Sequence, residues 1–261
     1  LPDYDANYYQ EYPATSLRNF AVSETMEPGS VMKPFIIAKA LDDGKIGRNS
    51  TFNTRPYAIG DKTIRDTHDY SSLTTQGILQ KSSNVGTSHI AALYDNQSLY
   101  QHFSDVGFGR KTGSGVSGEQ NKAIKPADKW SKLDRAVMSY GYAITANLLQ
   151  MAQGYTIFTA GGKLMPATIY KQTQTPKGTQ VIKPETAKQM REMMVSITRK
   201  GGTGQDGAVP GYDVAAKTGT ARKASAGGYA DKYRASFVGF APAQNPRLIV
   251  AVSIDEPRGK G

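Results

Sequence analysis

Glu27-Pro28-Gly29-Ser30-Val31-Met32-Lys33-Pro34 leads without a break into the apolar run Phe35-Ile36-Ile37-Ala38-Lys39-Ala40-Leu41. Proline has no N–H and fits a helix only in its first turn, so Pro34 places the helix start close to Ser30. Residues three apart on a helix share a face, and the side chains of Ser30 and Lys33 can then meet. A hydroxyl at such a mouth faces unpaired backbone N–H groups and the positive end of the helix dipole. That setting suits a nucleophile that must form an oxyanion beside an amine acting as base. The plain alternative is an N-cap serine and a solvated lysine, and a lone Ser-x-x-Lys does not decide between the two.

Outward from that stretch, the first part of the chain reads as helices and the last part as strands. Residues 1–29 are irregular, and the Ser30 helix stops near Asp42-Asp43-Gly44. Thr51 to Ile64 suggests a hairpin around Gly60-Asp61. A helical pair follows, Leu73–Gln80 and Val85–Tyr94, broken at Lys81-Ser82-Ser83-Asn84. Gln97–Asp105 is a further helix, closed by Gly107-Phe108-Gly109 and followed by a glycine-rich loop through Gly118. Thr145–Ala160 and Pro184–Lys200 carry apolar residues at helical spacing, the latter with Ala187, Met190, Met194 and Ile197 in one stripe. Tyr212–Lys217, Ala235–Phe240 and Leu248–Ile254 then read as strands. Their short connections predict antiparallel pairing, hence an α+β layered fold. The gly- and ala-rich stretch Arg222–Tyr233 between the first two strands is expected to be a mobile loop that changes on acylation.

Composition narrows the functional classes. The chain has 261 residues, 38% hydrophobic and 21% charged, and no run long enough to span a bilayer. It contains no cysteine, which removes disulfides and thiolate chemistry. His68, His89 and His102 have no metal-ligand spacing. The net charge is +10, but the Lys and Arg residues are scattered without interleaved aromatics, so nucleic-acid binding is set aside. The two G-x-G-x-x-G matches, from Gly113 and Gly202, lie in loops without the strand–turn–helix context of a dinucleotide site. No G-x-S-x-G elbow is present, and no histidine is placed beside a serine.

Lys-Thr-Gly occurs twice, at Lys111-Thr112-Gly113 and Lys217-Thr218-Gly219. Only the second closes an apolar strand, where side chains can be held rigidly beside a site. Together with Ser30-x-x-Lys33 and Ser82-x-Asn84 it forms an ordered triple shared by serine β-lactamases and penicillin-binding proteins.

With Lys81-Ser82-Ser83-Asn84-Val85-Gly86, Gly107-Phe108-Gly109 and Ala216-Lys217-Thr218-Gly219-Thr220-Ala221, the chain resembles the transpeptidase domain of class B penicillin-binding proteins. The pattern is most like the cell-division type, penicillin-binding protein 3. One departure is Tyr140-Gly141-Tyr142-Ala143, where the family has Tyr-Gly-x-Gly. The resemblance implies a penicillin-binding/β-lactamase-like fold: an antiparallel sheet flanked by helices, with an all-helical subdomain. It further implies that residues 1–261 are one transpeptidase domain truncated at both ends, with a mostly helical part at 31–200 and the C-terminal strands at 210–256. Two strands before Leu1 and a helix after Gly261 would be missing, leaving the sheet incomplete.

For the chemistry, the resemblance implies that Ser30 attacks the carbonyl between two terminal D-alanines of a peptidoglycan stem peptide. A neutral Lys33 takes its proton, its pKa lowered by burial and by Lys217. Ser82 relays a proton to the leaving amine, and Asn84 holds Lys33 and the substrate amide. Lys217, Thr218, Gly219 and Thr220 bind the substrate's carboxylate end, and backbone N–H groups of Ser30 and Thr220 form the oxyanion hole. No metal or organic cofactor is required. β-Lactams are the expected inhibitors, division-complex membrane proteins the expected partners, and the periplasmic face of the inner membrane, reached through an N-terminal anchor, the expected location. A class A β-lactamase would carry Glu-x-x-Leu-Asn in the middle third, which Glu119-Gln120-Asn121-Lys122 does not match. A D,D-carboxypeptidase and a non-catalytic penicilloyl-binding sensor remain as alternatives.

Overall fold

The computed structural model describes residues 4–225 and 228–258. Its helices are α1 (Phe20–Ser23), α2 (Lys33–Asp42), α3 (Thr75–Lys81), α4 (Asn84–Ala91), α5 (Asn96–Asp105), α6 (Lys132–Ser139), α7 (Leu148–Gly154), α8 (Thr156–Thr159) and α9 (Pro184–Val195). Three short antiparallel ribbons lie among them: β1 (Thr51–Asn53) with β4 (Ser72–Thr74), β2 (Tyr57–Ile59) with β3 (Lys62–Ile64), and β5 (Lys163–Leu164) with β6 (Thr179–Gln180). The main sheet is a meander of β7 (Ala215–Ser225), β8 (Gly228–Ala241) and β9 (Leu248–Asp255). Among the described residues no helix is long and apolar enough to cross a membrane.

Local chemistry explains most boundaries. A 3-10 turn over Gly29–Met32 precedes α2, and Pro34 occupies the first turn of that helix, where its missing donor costs nothing. The expected break at Lys81-Ser82-Ser83 is a change of helix: Ser82 closes α3 in the left-handed region, and Ser83 caps α4 by accepting from Gly86 N at 2.8 Å. The hairpin at Gly60-Asp61 forms as read, whereas Thr51–Asn53 pairs with Ser72–Thr74 instead. Helix α6 escapes an apolar-run reading because its polar face is long. Its capping box, Ser131 with Asp134, and its buried Ala136 are the signals that mark it.

Two expectations at the sheet need correction. The first strand begins at Ala215, and Tyr212 forms an isolated bridge to Val209. The described part of Arg222–Tyr233 is strand, not loop: β7 runs to Ser225 and β8 starts at Gly228, pairing Arg222 with Tyr233 and Ala224 with Tyr229 across a register shift. Ion pairs of Arg222 with Asp231 (3.3 Å) and of Lys223 with Asp255 (2.9 Å) lie along this extension. Positions 226–227 of the expected loop fall outside the described residues.

One apolar core joins helices and sheet. It runs from Phe35, Ile36 and Ile37 of α2 through Met190, Met193 and Met194 of α9 to Ala215, Val238 and Phe240 of the sheet. Phe35 sits among Phe108, Tyr155 and Phe158 with ring centroids 5.3–5.6 Å apart. The helical part and the sheet are thus one packed body, not two. On the other face of β9, Leu248, Val250, Val252 and Ile254 stand 43–69% exposed.

Candidate active site

Burying α2 in the centre of the core fixes the residues at its mouth. The Tyr155 hydroxyl donates to the Val31 carbonyl at 2.9 Å, and His102 Nε2 meets the Phe35 carbonyl at 2.9 Å. The turn that carries Ser30 is gripped from two further sides. Gly29 N donates to the Gly141 carbonyl at 3.0 Å, and Gly29 itself has φ +61°. Gly141, at φ +88°, lies so close that a Cβ there would be 2.1 Å from Gly29 O. On the sheet side β7 passes against the same turn: a Cβ at Gly219 would lie 3.1 Å from Pro28 O and 3.5 Å from Ser30 N. Glycine at 219 therefore serves the close approach of the strand and the Ser30 turn.

Two lysines meet at Ser82. Lys33, from the start of α2, and Lys217, from β7, are each 0% exposed. Their amines converge on one hydroxyl: Ser82 Oγ lies 3.1 Å from Lys33 Nζ and 2.8 Å from Lys217 Nζ. Lys33 Nζ also donates to the Ser82 carbonyl, and Lys217 Nζ to the Thr218 carbonyl at 2.9 Å. Burial, and next the charge of Lys217, hold the Lys33 amine well below the usual lysine range, while Asp66 pulls in the opposite direction. Burial lowers Lys217 to about 7. Two ammonium groups on one oxygen in a dry site repel, so the pair favours a neutral Lys33. Ser82 has φ 59° and ψ 43°, a conformation that costs a non-glycine residue about 1–3 kcal/mol and turns its carbonyl and hydroxyl together toward Lys33.

Of the sequence-predicted residues, Lys33 and Lys217 are brought together on Ser82, and Gly219 packs against the turn that carries Ser30. Thr218 Oγ1 sits 2.6 Å from Thr203 Oγ1, and Thr220 follows in register opposite Ala235 with its side chain exposed. Asn84 is placed differently from the sequence reading. Its amide donates to the Arg65 carbonyl at 3.1 Å, and Lys33 is held by Ser82 instead. Lys111-Thr112-Gly113 is a loop, with Thr112 N bonded to the buried Glu119 carboxylate at 2.7 Å.

Three supporting residues had no role assigned from the sequence. Asp66 accepts from Asn84 N (2.5 Å) and Val85 N (3.0 Å) through one oxygen and from Ser83 Oγ (2.5 Å) through the other. It caps α4 and so holds the Ser82 turn in place, from a polar stretch with no periodicity to mark it. Glu27 Oε1 accepts from Ala143 N at 2.7 Å, and the Tyr142 hydroxyl accepts from Arg222 N at 3.3 Å. The turn at Tyr140–Ala143 therefore links the nucleophile segment to β7, with Ala143 at φ 58° in the left-handed region.

The pattern that defines the penicillin binding protein transpeptidase domain matches residues 1–261. The chain is 51% identical over all its 261 residues to the Neisseria flavescens protein named probable peptidoglycan D,D-transpeptidase PenA, of which it spans 65%. It is 36% identical to the peptidoglycan D,D-transpeptidase FtsI of Escherichia coli over 98% of its own length and 44% of that protein's. Among solved structures, the apo transpeptidase domain of Burkholderia pseudomallei penicillin-binding protein 3 superposes with a TM-score of 0.89 at 39% identity, covering 92% of this chain and 74% of that one. The chain spans less than two thirds of the length of these curated relatives. In fold, in motif order and in similarity along its whole length, the chain belongs to the transpeptidase-domain family of class B penicillin-binding proteins.

Proposed function

We propose that this chain is the acyl-transfer domain of a peptidoglycan D,D-transpeptidase of septal cell-wall synthesis. The observation that carries this reading is the Ser82 hydroxyl held between two buried lysine amines, at 3.1 and 2.8 Å. Lys33, neutral because of burial and the neighbouring cation, accepts the Ser30 hydroxyl proton as Ser30 Oγ attacks the carbonyl of the D-Ala-D-Ala bond. The N–H groups of Ser30 and Thr220 receive the oxyanion, each worth roughly 3–4 kcal/mol of barrier by the scale of serine hydrolases. The proton passes from Lys33 through Ser82 to the departing D-alanine amine as the C–N bond breaks. The ester on Ser30 is then attacked by an amine of a neighbouring stem peptide, whose lost proton returns along the same path to Ser30 Oγ.

Lys217, Thr218, Gly219 and Thr220 hold the substrate's terminal carboxylate, and Asn84 faces the substrate amide from its seat on Arg65 O. β-Lactams acylate the same serine. The longer protein is anchored in the inner membrane with this domain in the periplasm, and it meets division-complex membrane proteins through segments outside this chain.

Intact-protein mass after incubation with a penicillin, for wild type and Ser30→Ala, tests the reading. A one-to-one adduct lasting hours and lost in Ser30→Ala is expected. An adduct that clears within seconds while drug is consumed would indicate a β-lactamase, and no adduct on folded protein would refute Ser30 as nucleophile. Release of D-alanine from a stem peptide with transfer to an added amine separates transpeptidase from carboxypeptidase and from a sensor.

A further inference from the structure

Helix α3, which ends at the Ser82 turn, is tied along its length to the end of α9. Gln76 Nε2 donates to the Met193 carbonyl at 3.0 Å and to Ser196 Oγ at 2.7 Å, and Gln80 Nε2 donates to the Ser196 carbonyl at 3.2 Å. The residue next to Ser82 reaches further: Lys81 Nζ donates to the Gly201 carbonyl at 2.8 Å. Gly201 belongs to the segment joining α9 to β7. Beyond it the segment folds back, with Gly204 N donating to the Ile197 carbonyl at 2.9 Å, and brings Thr203 Oγ1 to 2.6 Å from Thr218 Oγ1. A Cβ at Gly204 would lie 3.2 Å from Thr218 Cγ2. Lys81 and Thr218 are therefore the two ends of one span across the cleft, separate from the Lys33–Ser82–Lys217 line beneath it.

An ammonium donor to a carbonyl is a charge-assisted bond, among the stronger ties available to a partly exposed loop. At the other end, a threonine hydroxyl has one proton to give. Either hydroxyl of the Thr203–Thr218 pair can donate, and an anion beside Thr218 selects the arrangement in which Thr203 donates to Thr218 and the Thr218 proton points at the anion. Release of the 199–204 segment frees that hydroxyl to rotate elsewhere.

We propose that Lys81 is a positioning residue for the carboxylate-holding end of the site: its bond to Gly201 fixes the 199–204 segment so that Thr203 orients the Thr218 hydroxyl toward a substrate carboxylate. This rests on the proposed role of Thr218.

The test is stopped-flow acylation by a carboxylate-bearing fluorescent penicillin, resolved into the noncovalent dissociation constant and the acylation rate constant. Wild type, Lys81→Met, Lys81→Arg, Thr218→Val and the Lys81→Met/Thr218→Val pair are compared. Lys81→Met is expected to weaken the noncovalent step about five- to tenfold, the scale of one ordinary hydrogen bond, with the rate constant within about twofold. Lys81→Arg restores most of the affinity, and the pair binds no more weakly than Thr218→Val alone. Wild-type affinity in Lys81→Met, a loss confined to the rate constant, or a full additive loss in the Thr218→Val background would each overturn the proposal. If Lys81→Met does not fold, Thr203→Val cuts the other end of the span, and wild-type binding in that variant overturns it equally. A wild-type chain that is not acylated at all refutes the serine mechanism instead, before Lys81 is in question.

Discussion

Gly141→Ala places a methyl group where the nucleophile turn has no room for one. The added Cβ would lie 2.1 Å from Gly29 O and 2.5 Å from Gly29 N, against the 3.0 Å that real Cβ atoms keep, so the two backbones must part by close to 0.9 Å. Both neighbours are main chain and cannot swing aside. The φ of +88° adds strain of about 1–2 kcal/mol for an L-residue. Loss of the Gly29 N to Gly141 O bond adds about 0.5–1.5 kcal/mol. The sum is about 1.5–3.5 kcal/mol. With an unfolding entropy near 2.1 cal/mol/K per residue over 261 residues, that lowers Tm by about 3–6 °C. Ser30 follows Gly29 directly, and a shift of about 1 Å at a reacting group costs on the order of 100-fold in rate. Scanning calorimetry and stopped-flow acylation by a fluorescent penicillin measure both. A variant with unchanged Tm, acylated within threefold of wild type, would refute the claim that Gly141 seats the nucleophile turn.

The neighbouring turn predicts the opposite effect. Ala143→Gly relieves a left-handed alanine, and the gain of about 1–2 kcal/mol less the extra unfolded-state entropy of glycine leaves about 0.5–1 kcal/mol, read as a Tm rise of 1–2 °C. For pH, the amine of Lys33 must be neutral to accept a proton, and its depressed pKa means that acylation falls as pH drops through that value. Asp66 pulls this pKa upward, so Asp66→Asn should move the acid limb of the acylation profile to lower pH. The same variant keeps an amide oxygen for Asn84 N and Val85 N but gives up the negative charge at the start of α4, which costs about 0.3–1 kcal/mol of stability. An acid limb that stays in place, or moves to higher pH, would contradict the assignment of that limb to Lys33.

How much was legible differs from element to element. Pro34 and the apolar run behind it marked α2, and the stripe Ala187, Met190, Met194 marked α9, because burial on one face imposes a period that survives in sequence. The strands were found by their apolar runs, but their lengths were not. Pairing of Arg222 with Tyr233 is decided by the partner strand, so a stretch rich in glycine and alanine reads as a loop until its neighbour is known. Asp66 left no trace, and Glu27 opens the Ser30 stretch without a role being legible there, since a carboxylate that holds a distant helix or turn obeys no local spacing. Asn84 was placed by its motif, yet its amide is taken by Arg65 O.

Which serines and lysines exist, in what order, and that Ser30 lies three residues before Lys33 at the entry to a buried helix are all written in the sequence. Local spacing suffices for that, so no long-range information is needed. Tertiary structure alone decided that Lys217 and Lys33 share the Ser82 hydroxyl, that Gly219 and Gly141 press on the Ser30 turn, and that Lys33 is wholly buried, which holds its amine well below the usual lysine range. Those facts depend on which surfaces exclude water and which backbones touch, and neither is written in the spacing of residues along the chain.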